Sequence, residues 1–215
     1  MSKCIYSHIL WDWNGTLLND VDWCLSRTNL MLQKRNKKPF KSLADYHKAF
    51  CFPVSEYYKN AGFDFSEEPF EILAKEFIDL YHGEGSVDIC LHENAKAVLQ
   101  YIQKEKVPQS ILSASARQNL MAQVESYRIR EYFDEILGIT DIYANSKVEI
   151  GLEYLRKHHV QKGLMIGDTV HDFEVAQAMG IDCVLVAKGH QDKNILLSCG
   201  VPVFENLNEV LSYIF

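Results

Sequence analysis

The 215 residues are 47% hydrophobic and 24% charged, enough apolar material for one large domain or for one domain with a substantial insertion. With 29 acidic against 22 basic side chains the net charge is −7, which argues against nucleic-acid binding, a role that wants a basic face. MSKCIYSHILWDW has neither a long apolar run nor a small-residue cleavage site, and no stretch has the length of a membrane span. The expected setting is therefore the cytoplasm, with no membrane partner.

In chain order, the first apolar run, Ile5–Trp11, reads as a strand ending on Asp12. From about Leu18 to Ser86 the apolar spacing is helical throughout, in DVDWCLSRTNLMLQK, SLADYHKAF, VSEYYKNAG and EEPFEILAKEFIDLYH. Pro39, Pro53, Gly62 and Pro69 mark helix boundaries, and HGEGSV is the expected hinge back. Strand-length runs then recur at Val107–Ser113, Phe133–Ile139, Gly163–Gly167 and Cys183–Ala187. Helix-length segments accompany them: ENAKAVLQYIQKE, SKVEIGLEYLRKHH and HDFEVAQAMG. Such alternation predicts a parallel sheet with helices on both faces and a ligand site at the carboxyl ends of its strands. The expected division is an α/β core of residues 1–17 and 87–215 around an inserted all-helical domain of residues 18–86.

Several residue groups read as structural. Cys4, Cys24, Cys51, Cys90, Cys183 and Cys199 form no CxxC and no disulfide or zinc spacing, so they are expected as reduced thiols. The histidines lack HxH or HxxxH spacing, and His158-His159 are expected to face water. KRNKKPFK follows a helix, where cations suit the macrodipole; the alternative is attraction of anionic substrates. The aromatics of the insertion, including Trp23, Phe50, Phe52, Tyr57, Tyr58, Phe63 and Phe77, read as packing for a small helical core.

Four features fall at strand ends. Asp12, in DWNGTL, is a carboxylate that can attack a phosphoryl group, and the Gly-Thr that follows suits a tight turn. Ser113, in SILSASARQN, would open a helix and offer its hydroxyl and the next backbone N–H groups, beginning with Ala114, to a phosphate; an ordinary helix cap is the alternative. Lys147, in ANSKVEIG, stands at a helix N-terminus, where a cation is mildly unfavourable but could clamp a phosphoryl group. Asp168 and Asp172, in GLMIGDTVHD, would repel Asp12 unless a cation such as Mg²⁺ joined them.

Taken in order, nucleophile, hydroxyl, lysine and acidic pair resemble the four motifs of the haloacid dehalogenase superfamily. The helical insertion resembles that family's cap, and MGIDCVLVAKG also fits. LSASARQN is similar to the second motif of the phosphoglycolate phosphatase-like and β-phosphoglucomutase-like branch. The resemblance implies a Rossmann-like core and a Mg²⁺-dependent phosphatase acting on a small phosphorylated metabolite. By the same resemblance Asp12 would be the nucleophile, and Asp12 and Asp168 would bind Mg²⁺, with Asp172 as a ligand or a nearby carboxylate. Ser113, Ala114 and Lys147 would hold the phosphate.

One position departs from the pattern. Where the family's phosphatases carry the aspartate that protonates the leaving group and activates water, this chain has Asn14. Asparagine keeps the main-chain carbonyl that ligates the metal but loses the titratable group, worth roughly 10²–10⁴ in rate. Three explanations compete: a phosphatase that tolerates the amide, a phosphate-binding regulatory module with impaired turnover, and deamidation at Asn14-Gly15. The dehalogenase branch resembles a pattern with an aromatic here. The phosphonate-cleaving branch has alanine and a cap lysine, for which Lys48 and Lys59 are the available residues.

Overall fold

The computed structural model describes residues 4–83, 89–139 and 147–215. Strand β1 (His8–Trp11) leads through β2 (Leu18–Asn19) into four helices: α1 (Val21–Lys34), α2 (Leu43–Ala49), α3 (Val54–Ala61) and α4 (Phe70–Tyr81). The chain returns through β3 (Cys90–Leu91) to α5 (Ala95–Lys104), β4 (Gln109–Ala116), α6 (Arg117–Ser126) and β5 (Ile136–Ile139). It ends with α7 (Lys147–Lys157), β6 (Gly163–Gly167), α8 (Val170–Met179), β7 (Asp182–Val186), α9 (Lys193–Leu197), β8 (Val203–Phe204) and α10 (Leu207–Ile214).

Six strands form one parallel sheet in the order β5-β4-β1-β6-β7-β8. Strand order reverses on either side of β1, so the crevice of a doubly wound sheet lies at the carboxyl ends of β4, β1 and β6. Both sheet faces are covered. Ile9 and Trp11 pack on one side and Leu10 on the other, which is why β1 reads as an unbroken apolar run. Trp11 is fully buried because its indole N–H finds Gln109 Oε1 at 3.1 Å.

The expected strands and helices are all present, with shifted ends. Ile5 is exposed and β1 begins at His8; β4 runs three residues beyond Ser113. Pro53 and Pro69 stand immediately before α3 and α4, and Gly62 ends α3 in the left-handed region at φ 103°. Pro39 lies in the connection between α1 and α2. Most of the expected hinge HGEGSV, the 86/87 boundary and the segment before Lys147 lie outside the described residues. The observed crossing between sheet and helices is instead an antiparallel pair, β2 with β3, in the register Leu18↔Leu91 and Asn19↔Cys90.

The helical unit is knit by its own charges. Arg35 binds Glu68 through two bonds, at 2.7 and 2.9 Å, and also reaches Glu76, while Lys34 pairs with Glu76 at 2.9 Å and Lys37 with Glu67 at 3.4 Å. Three of the five basic residues of that run thus hold α1 to α4 and its preceding loop. Tyr46, Tyr57, Tyr58 and Phe63 are buried and form edge and tilted ring contacts. One continuous apolar cluster joins them to Ile9, Trp11 and Ile111 of the sheet. Of the histidine pair, His159 is exposed, but His158 is half-buried on the Tyr154 ring and pairs with Glu135; a helix-end histidine with an aromatic neighbour and a carboxylate leaves water.

Candidate active site

Parallel register aligns three strand ends. Trp11 pairs with Ile111 on one side and Ile166 on the other, so Asp12, Ser113 and Asp168 emerge at neighbouring positions just past those pairs. Lys147 reaches in from the first turn of α7 and joins two of the carboxylates. Its Nζ lies 2.5 Å from Asp12 Oδ1 and 2.5 Å from Asp172 Oδ1, with all three side chains buried. Thr16 donates its hydroxyl to Asp168 Oδ1 at 2.9 Å, and the His190 backbone N–H donates to Oδ2 at 2.7 Å. Close approach requires glycine here: a Cβ on Gly15, at φ +74°, would meet Asp168 Oδ2 at 2.3 Å, and one on Gly189 at 2.0 Å.

Asp172 has the most occupied carboxylate. Oδ2 accepts from the N–H groups of Asp168 and Thr169 and from the Thr169 hydroxyl, closing a capping box on α8, while Oδ1 accepts from Lys147. It secures the turn and the lysine. Asp12 and Asp168 have fewer such partners. Ser113 does not open a helix: it sits inside β4, where the register shifts, and its Oγ accepts the Ser115 N–H at 3.1 Å. The strand continues because residues up to Ala116 still pair with β5, and Ala114 is exposed on this extension.

Asp12, Asp168 and Asp172 bring carboxylate oxygens within 4.8 Å of one another. Burial pushes Asp12 up to about 8 in spite of Lys147, with Asp172 and Asp168 adding to the rise. Burial also lifts Asp168 to about 6, against the pull of His190. Burial works on Asp172 too, but Lys147 and the Thr169 hydroxyl hold it below the ordinary carboxylate range. A hard dication relieves this crowding, and the all-oxygen donor set fits Mg²⁺.

These shifts have a sign that thermal melts read. Asp12 and Asp168 have raised folded pKa values, so between about pH 4 and pH 8 these two carboxyls hold more protons in the native state than in the unfolded chain, and the stability they contribute falls as pH rises. The stability that Mg²⁺ adds over the metal-free protein should therefore grow as pH rises through that window. Melting curves in EDTA and in Mg²⁺ across the window test this; identical slopes would refute it.

Asn14 lies in a second network that the sequence does not announce. Its Nδ2 donates to Asp20 Oδ2 at 2.7 Å and to the Tyr81 hydroxyl at 3.0 Å, and its Oδ1 accepts from Ser115 Oγ at 2.7 Å. A carboxylate only accepts, so Asp20 fixes the amide orientation. Asp20 precedes α1 as its N-cap residue yet makes no capping bond. Its carboxylate turns inward and also takes the Gly15 N–H at 2.9 Å, the Tyr81 hydroxyl at 2.7 Å and His190 Nε2 at 3.3 Å. Against burial, His190 holds Asp20 below the usual range and Asp20 holds the His190 imidazole above it. The Gly15 N–H, the atom that would attack the Asn14 side chain in deamidation, is occupied by Asp20 Oδ1 and the Leu18 carbonyl.

The helical unit closes over this region. Tyr46 Oη lies 2.8 Å from His190 Nδ1, His47 Nε2 lies 3.1 Å from the Gly189 carbonyl oxygen, and Phe50 stacks on the His190 ring at 4.8 Å. Lys48 and Lys59 are exposed, and Lys59 pairs with Glu56.

The family model of haloacid dehalogenase-like hydrolases matches residues 9–186. The chain belongs to that family. A haloacid dehalogenase-like hydrolase of Streptococcus pneumoniae superposes with a TM-score of 0.84 at 17% identity, covering 98% of this chain and 99% of its own. An inferred phosphoglycolate phosphatase of Lactobacillus plantarum gives 0.79 at 22% identity, with 98% and 99% covered. Protein tyrosine kinase A of Mycobacterium tuberculosis gives 0.83 at 20% identity, with 99% of each chain covered. At such identities these neighbours establish a shared fold, and a fold this widely used does not settle the reaction. No curated protein matches the chain significantly in sequence. No described helix of this haloacid dehalogenase-like chain is long and apolar enough to cross a membrane.

Proposed function

We propose that this haloacid dehalogenase-like hydrolase is a cytoplasmic phosphatase that cleaves a small phosphate monoester, phosphoglycolate-like in size and charge. Asp12 is the nucleophile, residues 18–86 are the cap, and residues 1–17 and 87–215 are the core. The observation carrying this reading is the buried contact of Lys147 with Asp12 at 2.5 Å, which fixes one oxygen of a carboxylate at a strand end. An oxygen of Asp12 attacks phosphorus as the ester oxygen departs with a proton taken from solvent, leaving an aspartyl-phosphate; water then attacks phosphorus and returns a proton to solvent, releasing phosphate and restoring the carboxylate. Lys147 and Ser113, with the Ala114 N–H, hold the phosphoryl oxygens. Asp12, Asp168 and the Asn14 main-chain carbonyl would hold Mg²⁺, with Asp172 supporting the lysine beside them. When bound, Mg²⁺ supplies the positive charge that lets an anionic ester approach an anionic nucleophile.

Asp12 is only 8% exposed, so substrate access requires the contacts of Tyr46, His47 and Phe50 with residues 189–190 to open. The alternative, a phosphate-binding module without appreciable turnover, draws on the Asn14 amide being fully engaged with Asp20, Tyr81 and Ser115. Mg²⁺-dependent phosphate release from a panel of small esters decides between them, with Asp12→Asn as the blank. Release that falls by about 10⁴ or more in the blank supports the enzyme. Protection against unfolding by phosphate or beryllofluoride without release supports the module.

A further inference from the structure

Asp20, Cys24 and His190 form a second cluster of metal-binding side chains, beside the oxygen-lined one and different in chemistry. Asp20 and Cys24 lie one helical turn apart at the start of α1 and so share a face. His190 comes from the loop after β7. All three are buried, and their donor atoms lie within 4.8 Å of one another. Cys24 Sγ lies 3.7 Å from Asp20 Oδ2, and His190 Nε2 lies 3.3 Å from Asp20 Oδ1. Ligands around a tetrahedral zinc ion, with zinc–sulfur near 2.3 Å and zinc–nitrogen or –oxygen near 2.1 Å, stand roughly 3.4–3.6 Å apart. The two contacts fall just outside that range, one on each Asp20 oxygen, so a small turn of the carboxylate brings one oxygen to the ion.

We propose that Asp20, Cys24 and His190 form a binding site for a thiophilic divalent ion of the zinc class. Asp20 contributes its carboxylate, Cys24 a thiolate and His190 Nε2. The ion takes the place of two protons, those that Cys24 Sγ and His190 Nε2 direct at Asp20, and both leave to solvent. The carboxylate and thiolate then match its two positive charges, with the imidazole neutral.

The surroundings are those a ligand set needs. A metal-bound imidazole is held through its other nitrogen, and the Tyr46 hydroxyl stands 2.8 Å from His190 Nδ1. The Asp20 carboxylate is aimed by Gly15, Asn14 and Tyr81, none of which has to leave. Ligand softness separates the two clusters: three carboxylates suit Mg²⁺, whereas sulfur and imidazole suit zinc. The ion would tie the first turn of α1 to the loop carrying His190, and so hold the helical unit against the sheet. This inference is independent of the phosphatase reading.

The test uses the full chain stripped with EDTA and then given Co²⁺ in the presence of excess Mg²⁺. One equivalent of Co²⁺ should produce a thiolate-to-cobalt charge-transfer band that Zn²⁺ bleaches, and Zn²⁺ should raise the unfolding temperature. Cys24→Ser should abolish the band and weaken zinc binding by more than the roughly 10–100-fold that loss of a supporting partner costs. Cys51→Ser should leave both unchanged. Zinc-edge absorption on the natural protein removes dependence on a variant's folding: one sulfur among the nearest neighbours supports the site. A sulfur-free shell, or a band that survives in Cys24→Ser, would overturn it.

Discussion

Replacing Lys147 with methionine should destabilise the metal-free protein by about 3–5 kcal/mol at neutral pH and reduce phosphate release to the level of the Asp12→Asn blank. The side chain is 3% exposed and contacts carboxylates on both sides at 2.5 Å. Removing one partner of a buried ion pair costs that much because the remaining charge keeps its desolvation penalty. Here two carboxylates lose their cation, with Asp168 close by. The loss should shrink as pH falls, because Asp172, which Lys147 holds below the ordinary carboxylate range, takes up a proton once the ammonium is gone. Mg²⁺ should restore part of the stability but not the activity, since the phosphoryl group would still lack the lysine. Denaturant unfolding with and without Mg²⁺ measures the first effect and phosphate release the second. A Lys147→Met protein as stable as the natural one in EDTA would contradict the account.

Asn14→Asp should do more than restore a missing acid. It places a second carboxylate at the 2.7 Å distance now bridged by an amide hydrogen to Asp20, inside a pocket where Asp20 is fully buried. Two carboxylates in that relation cannot both ionise, so one pKa rises strongly and the pair shares a proton. The raised folded pKa makes the cost grow as pH climbs from about 4 toward neutrality, reaching about 1–3 kcal/mol. Where the shared proton is retained, the variant carries the acid that the phosphatase reading lacks, and release should rise by roughly 10²–10⁴. The exchange Asn14→Asp with Asp20→Asn moves the amide across the same bond and should recover most of the stability. Melting of the two variants at pH 5 and pH 8 tests the pairing. If the single variant matched the natural protein at both, Asp20 would not be the reason for asparagine at this position.

Much of this was legible in the chain. Gly163–Gly167 is a strand over the very residues that its apolar run marks, and Pro53, Gly62 and Pro69 bound helices as their chemistry requires. Asp12, Lys147, Asp168 and Asp172 could be anticipated because each follows a recognisable strand or opens a helix, and parallel register then brings them together. β2, β3 and β8 could not: each spans two residues, too few for any period, and pairing with a distant partner alone makes it a strand. Asp20 was hidden for a different reason. An aspartate before a helix looks like a cap, and only the folded neighbourhood shows that its carboxylate serves Asn14, Gly15, Tyr81 and His190 instead. His190 gave no signal because its partners come from α1 and α2, remote in sequence.

The pairing of β2 with β3 has a consequence for how such proteins change over generations. The chain leaves the sheet and comes back to it side by side, at Leu18↔Leu91 and Asn19↔Cys90. Whatever lies between those points begins and ends one strand spacing apart, roughly 5 Å. A longer, shorter or wholly different segment could be received on the same two residue pairs without rerouting a single sheet strand. Asp12, Asp168 and Asp172, all on the sheet side of that junction, could thus be inherited intact while the helical unit above them was exchanged.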